Sequence, residues 1–213
     1  MSVLIEAANR ILSWLMVNKN SYALALQAGL SYSEIQEKTK NLPFKLPMEV
    51  IELYQWRNGT KDSEQYTARF FPAFTFNSLD QALIHYKELI DFSEESGQIS
   101  KYDPVTNDSW EETIDPSEIY NPMWFPIFTF KNQWHSYLAI GGENEDATSV
   151  ILDFSIEDST PYPKYESLTK MLLTIAECYE VGAYYSGEIS IRSNSDQAKS
   201  IRVKYNPTLK DLY

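Results

Sequence analysis

The sequence predicts a single α+β domain in which helices pack on a mainly antiparallel central sheet. Three observations carry that expectation. Apolar residues recur at helical spacing in four separated segments, near residues 3–16, 48–57, 79–91 and 166–181. Aromatic and β-branched runs in the second half of the chain are joined by hairpin-length connections. No repeat, low-complexity stretch or composition break divides the 213 residues, and a hydrophobic fraction of 43 % suffices for one packed core.

The first helix places Leu4, Ile5, Ala8, Ile11, Leu12, Leu15 and Met16 on one face, with Glu6, Asn9, Arg10 and Ser13 opposite. A short helix is expected over Tyr22 to Ala28, stopped by Gly29. Ser31 and Glu34 form a capping-box pattern that opens a third helix over Tyr32 to Lys40. Pro47 suits the first turn of the next helix, where its missing N–H costs nothing. Val50, Leu53 and Tyr54 give that helix a buried stripe, and Asn58-Gly59 ends it.

A β-prone run near 69–76 follows, and then Ser78 and Gln81 cap a helix whose inner face is Leu79, Ala82, Leu83, Tyr86, Leu89 and Ile90. From Phe92 to Asn121 the periodicity is lost, and the Asp103-Pro104 and Asp115-Pro116 steps read as a long loop. Trp124–Phe130, Trp134–Ile140 and Ser149–Phe154 make a three-strand meander spanning 124–154, turned first by Lys131-Asn132-Gln133. After Pro161 and Pro163 a last strong helix buries Leu168, Met171, Leu172, Ile175, Ala176 and Tyr179. From Ser186 the tail is polar.

Charge narrows the function. The net charge of −12 argues against nucleic acid, whose binders need a basic footprint to release counterions from phosphates. It fits a protein partner with a basic surface. The acids are concentrated: residues 88–118 hold ten against one base, Lys101, and residues 143–158 hold six with no base. No segment reads as a membrane span, Met1 to Met16 lacks the pattern of a secretory signal, and Cys178 is the one cysteine; a cytoplasmic location is expected.

The search for chemistry returns little, so no catalytic residue, metal or cofactor is expected. His85 and His135 are far apart in sequence, and only Glu88 accompanies His85 at a ligating spacing. Cys178 sits late in its helix between Glu177 and Tyr179, without the cationic neighbour that would activate a thiol. No P-loop, dinucleotide fingerprint, nucleophile elbow or paired-cysteine pattern occurs. A carboxylate-dependent hydrolase is the enzymatic alternative, with Asp153, inside a strand, as its acid.

The strongest elements also carry a family resemblance. The run from Leu46-Pro47 through Tyr54 to Asn58-Gly59 resembles the opening helix and turn of SUKH-superfamily domains, the group of the fungal Smi/Knr cell-wall assembly regulator. Trp124-Phe125-Pro126-Ile127, then Tyr137–Ile140, then Ser149-Val150-Ile151, resemble its strands, and Ser167-Leu168 to Leu173 resembles its closing helix. The resemblance implies a SUKH-like domain over 42–185, preceded by a helical extension packed on it (1–41) and followed by a polar tail (186–213). It implies a non-enzymatic protein: an immunity protein that neutralises a basic toxin domain, often a nuclease, or else a regulatory scaffold with no toxin partner. Candidate contacts are the aromatics Trp56, Trp124, Trp134 and Tyr137, the usual anchors of an interface, with Glu111, Glu112, Glu143 and Asp146 as an acidic surround.

Overall fold

A computed structural model describes residues 1–64, 67–96, 120–130, 135–145, 149–156, 161–188 and 190–212. The chain opens with helix α1 (Val3–Asn18), capped by Ser2, whose hydroxyl accepts from the Ile5 N–H at 3.4 Å. Helix α2 (Asn20–Leu24) is shorter than expected, because Leu26–Ala28 forms strand β1 instead of continuing it. The reason is tertiary. β1 pairs with strand β2 (Arg57–Thr60), and the Gln27 side chain donates to the carbonyls of Asn58 and Thr60, both at 3.2 Å.

Helix α3 (Tyr32–Thr39) carries the complete Ser31–Glu34 capping box. Helix α4 (Met48–Trp56) runs directly into β2, where Gly59 has φ +63. A Cβ at Gly59 would lie 2.1 Å from the Asn77 carbonyl oxygen, so glycine is demanded by both conformation and space. Asn58 has a role the sequence did not suggest: its side-chain oxygen accepts from the Leu79 N–H at 2.9 Å and caps helix α5 (Leu79–Ser96). That helix runs five residues past the expected end at 91, taking Phe92 to Ser96 out of the supposed loop. Residues 97–119 lie outside the described residues.

The central sheet has five antiparallel strands in the order β3 (Phe74–Phe76), β4 (Trp124–Phe130), β5 (His135–Ile140), β6 (Ile151–Ser155) and β7 (Tyr162–Tyr165). The meander is as expected, although residues 131–134 at its first turn are not described. The run near 69–76 contributes only its last three residues, because Ala73 at φ +73 breaks the extension. β7 was hidden by Pro161 and Pro163. It lies at the sheet's edge, where a proline costs no ladder hydrogen bond to a further strand.

Both faces of the sheet are covered. Phe125, Ile127, Tyr137, Ala139 and Ile151 pack into one core with α1, α4 and helix α6 (Leu168–Glu180). Trp124, Leu138, Leu152 and Phe154 face the other way and meet Leu89 of α5. α1 and α6 are joined by a stacked Trp14–Tyr179 pair at 4.2 Å and a two-pronged Arg10–Glu180 ion pair. The expected polar tail is folded where described: strands β8 (Tyr184–Ser186) and β9 (Ile191–Ser193) form a hairpin, and helix α7 (Ser195–Tyr205) returns to α6. There Lys204 and Tyr205 both donate to Glu177, and Ile201 packs against Cys178.

Candidate functional site

Four of the expected contact residues, Trp134, Glu111, Glu112 and Asp146, lie outside the described residues. Two of the others are corrected. Trp124 and Tyr137 are each only 6 % exposed. Trp124 packs between Tyr120 and Phe154, while Tyr137 stacks on Phe74 with centroids 4.4 Å apart. Burial also drives the Tyr137 hydroxyl well above its ordinary pKa. Helices cover both sheet faces, so neighbouring strand residues are buried on either side and cannot anchor a partner. Trp56 is half-buried, and its indole N–H is committed to Asn9 at 2.8 Å, tying α4 to α1.

Glu143 is exposed, on the turn that follows β5. The geometry of that turn is fixed from below. Gly141 sits against the Phe44 ring, where a Cβ would come within 2.0 Å, and Gly142 exchanges backbone hydrogen bonds with Lys45. Farther along, the Glu145 carbonyl accepts from the Met48 N–H at 2.6 Å. The Glu145 carboxylate accepts from the Tyr32 hydroxyl and from the Gln36 amide, both at 2.9 Å. That hydrogen bond raises the Tyr32 pKa. The result is a surface from α3, the start of α4 and the turn, with Tyr32 45 % and Met48 37 % exposed beside Glu145.

The flanks of the two acidic stretches also meet. Ile90, before residues 97–119, and Tyr120, after them, belong to the same apolar cluster as Ile140 and Val150, which bracket the acidic turn. Asp91, Glu94 and Glu95 are exposed on the last turns of α5 beyond that cluster.

Asp153, the acid of the enzymatic alternative, is 4 % exposed and fully engaged. One carboxylate oxygen meets His135 Nε2; the other accepts from Tyr162 and from Lys164, each at 2.8 Å. Burial pushes the Asp153 carboxyl up, but the hydrogen bonds from His135 and Lys164 and the charge of Lys164 outweigh it and leave the pKa below the ordinary value. A general acid needs the opposite shift. The arrangement fastens β5, β6 and β7 to one another. His85 is likewise spent: it is buried, shares a 2.9 Å hydrogen bond with Ser136, and burial lowers its pKa to about 4, so its 3.5 Å approach to Glu88 is made neutral. Among the described residues no group of three or more His, Cys, Asp or Glu side chains could hold a metal ion. Nor is any helix among them long and apolar enough to cross a membrane.

What these features define is an α+β domain whose described histidines and buried acid are tied up in structure, with an exposed acidic surface at one end of the sheet. The family comparison agrees. The SMI1 / KNR4 family (SUKH-1) model matches residues 29–174, about two-thirds of the chain, and the protein belongs to that family. The match begins ahead of the boundary at 42 that the motifs suggested, takes in α3, and ends inside α6. No curated protein matches the sequence. Family membership fits a non-catalytic immunity or regulatory role.

Proposed function

We propose that the protein is a non-catalytic binding module of the immunity type, which neutralises a toxin domain by covering a basic surface on it. The observation that carries this reading is the convergence just described: one apolar cluster anchors the ends of both acidic stretches, and Glu143 stands exposed on the turn whose Glu145 meets Tyr32 and Met48. An acidic surface steers encounter with a basic partner, and it competes with nucleic acid when that partner is a nuclease.

The engaged state of Asp153 supports the non-catalytic half of the reading. The test is co-expression with a toxin domain encoded beside the gene. The chain should restore growth, and Glu143→Lys with Glu145→Lys should weaken protection while leaving the fold intact. Equal killing with and without the chain, or the lack of any such toxin gene, would refute the immunity reading.

A further inference from the structure

The most distinctive surface outside the acidic end is an open apolar groove of about 350 Å³. Leu12 and Met16 of α1, Ala23 and Leu24 of α2, Leu26 and Ala28 of β1, and Arg57 of β2 line it. Its apolar character extends beyond the groove itself: Met16 is 53 % exposed, Leu24 61 % and the adjacent Val17 84 %. Contiguous apolar exposure of this kind marks an interaction site more often than isolated exposed residues do.

The charges around the groove run against the character of the whole chain. Lys61 Nζ donates to the carbonyl of Leu24, in the groove wall, at 3.1 Å; Arg57, itself in the wall, donates from Nη1 to the Trp56 carbonyl at 3.2 Å and lies over the Trp56 ring. Among the described residues neither of these two cations forms an ion pair. In a protein with 30 acidic and 18 basic residues, two cations without a carboxylate partner at one apolar groove make it complementary to a partner that brings carboxylates.

We propose that this groove receives an acidic amphipathic peptide segment of a partner protein, bound as a helix with its apolar residues in the groove and its carboxylates over Arg57 and Lys61. A peptide fits better than a small amphiphile. A compact ligand would fill the cleft but leave the adjacent Val17 uncovered, whereas a helix lying along it covers Val17 together with the outer parts of Met16 and Leu24. Met16 is unbranched and can adapt to side chains of different shape. Different elements line the groove and build the acidic turn, so the two surfaces can be tested separately.

Random peptides displayed on phage would be panned against the immobilised full chain, and the enriched sequences synthesised and titrated by fluorescence anisotropy. Enriched peptides should combine apolar residues at helical spacing with Asp and Glu. Their affinity should fall about tenfold or more with Leu24→Asp, with Met16→Asp, and with Arg57→Glu paired with Lys61→Glu. All four positions are at least partly exposed, so circular dichroism should report an unchanged fold. Reversing Glu143 and Glu145 to Lys should leave this binding intact, which separates failure here from failure of the immunity reading. The proposal is overturned if no peptide is enriched, if basic peptides are selected, or if the groove variants bind as the native chain does. It is also overturned if dodecanoate perturbs the Met16 and Leu24 methyl resonances while the peptides do not.

Discussion

Replacing Asp153 by Asn tests whether the His135–Asp153–Lys164 contacts hold the sheet together. The carboxylate is 4 % exposed and takes hydrogen bonds from three side chains on β5 and β7. Removing one member of a buried ion pair costs about 3–5 kcal/mol. Two features place this case lower. The Lys164 side chain keeps 14 % exposure, and Asn still offers an oxygen to Tyr162, so about 2–3 kcal/mol is expected. In a chain of this length each kcal/mol moves the melting temperature by about 2–4 °C, so Asp153→Asn should melt about 4–12 °C lower at pH 7.

The pH dependence sharpens the test. A carboxyl whose folded pKa lies below its unfolded value contributes its full stability above the unfolded value and loses it as pH falls through the folded one. The gap between native protein and variant should therefore persist from neutral pH down to about 4 and close below that. Burial lowers the Lys164 pKa in spite of Asp153, but an ammonium titrates in the alkaline range and leaves the acid limb alone. Adding Lys164→Met to Asp153→Asn should recover part of the loss, with a coupling energy of about 1 kcal/mol or more by denaturant titration. If Asp153→Asn costs less than about 0.5 kcal/mol, or the two substitutions simply add, the centre is not a stabilising unit.

Other substitutions probe the joints of the fold. Gly59→Ala meets both a left-handed backbone and the Asn77 carbonyl at 2.1 Å, whereas Gly182→Ala meets the backbone term alone, with nothing within 4 Å. Denaturant midpoints should show about 1–2 kcal/mol for Gly182→Ala and clearly more for Gly59→Ala; equal costs would refute the steric argument. Glu49→Ala removes the acceptor of the Leu168 N–H at 3.0 Å and the Thr169 hydroxyl at 2.7 Å, while Ser167 still caps Lys170. About 1–2 kcal/mol should be lost, read as a drop in melting temperature. Burial pushes the Cys178 thiol up to about 12, so Ellman's reagent should react with it only after unfolding.

Periodicity made the helices legible, and its failures have physical causes. β7 has no strand signature in the sequence because Pro161 and Pro163 argue against a central strand, and sequence does not reveal that a strand lies at an edge. Leu26–Ala28 carries no strand signal of its own and continues the helical pattern before it; the conformation of β1 comes from pairing with β2 and from the Gln27 side chain. α7 buries only Ile201 on its own surface and is held by Glu177 of α6, a contact invisible before folding. The acidic count misled in one place, because Asp153 is buried in an ion pair and adds nothing to the surface of its stretch.

The motifs that made the family recognisable turn out to be the fold's joints. Asn58 caps α5, Gly59 admits the backbone of Asn77, and Glu49, just after Pro47, caps α6. Trp124 and Tyr137 fill the two sides of the sheet. Each is bound to its place by a neighbour distant in sequence, and substitution there costs stability before it touches any partner. This is why the fold was readable and the contact residues were not. Aromatics that stand out in a strand pattern do so because the core needs them, whereas the surface residues that can meet a partner, such as Glu143, Met16 and Leu24, obey no period of their own. Their partners must be inferred from what surrounds them: the Glu145 carboxylate beside Tyr32 at one surface, and at the other Arg57 and Lys61, which form no ion pair among the described residues.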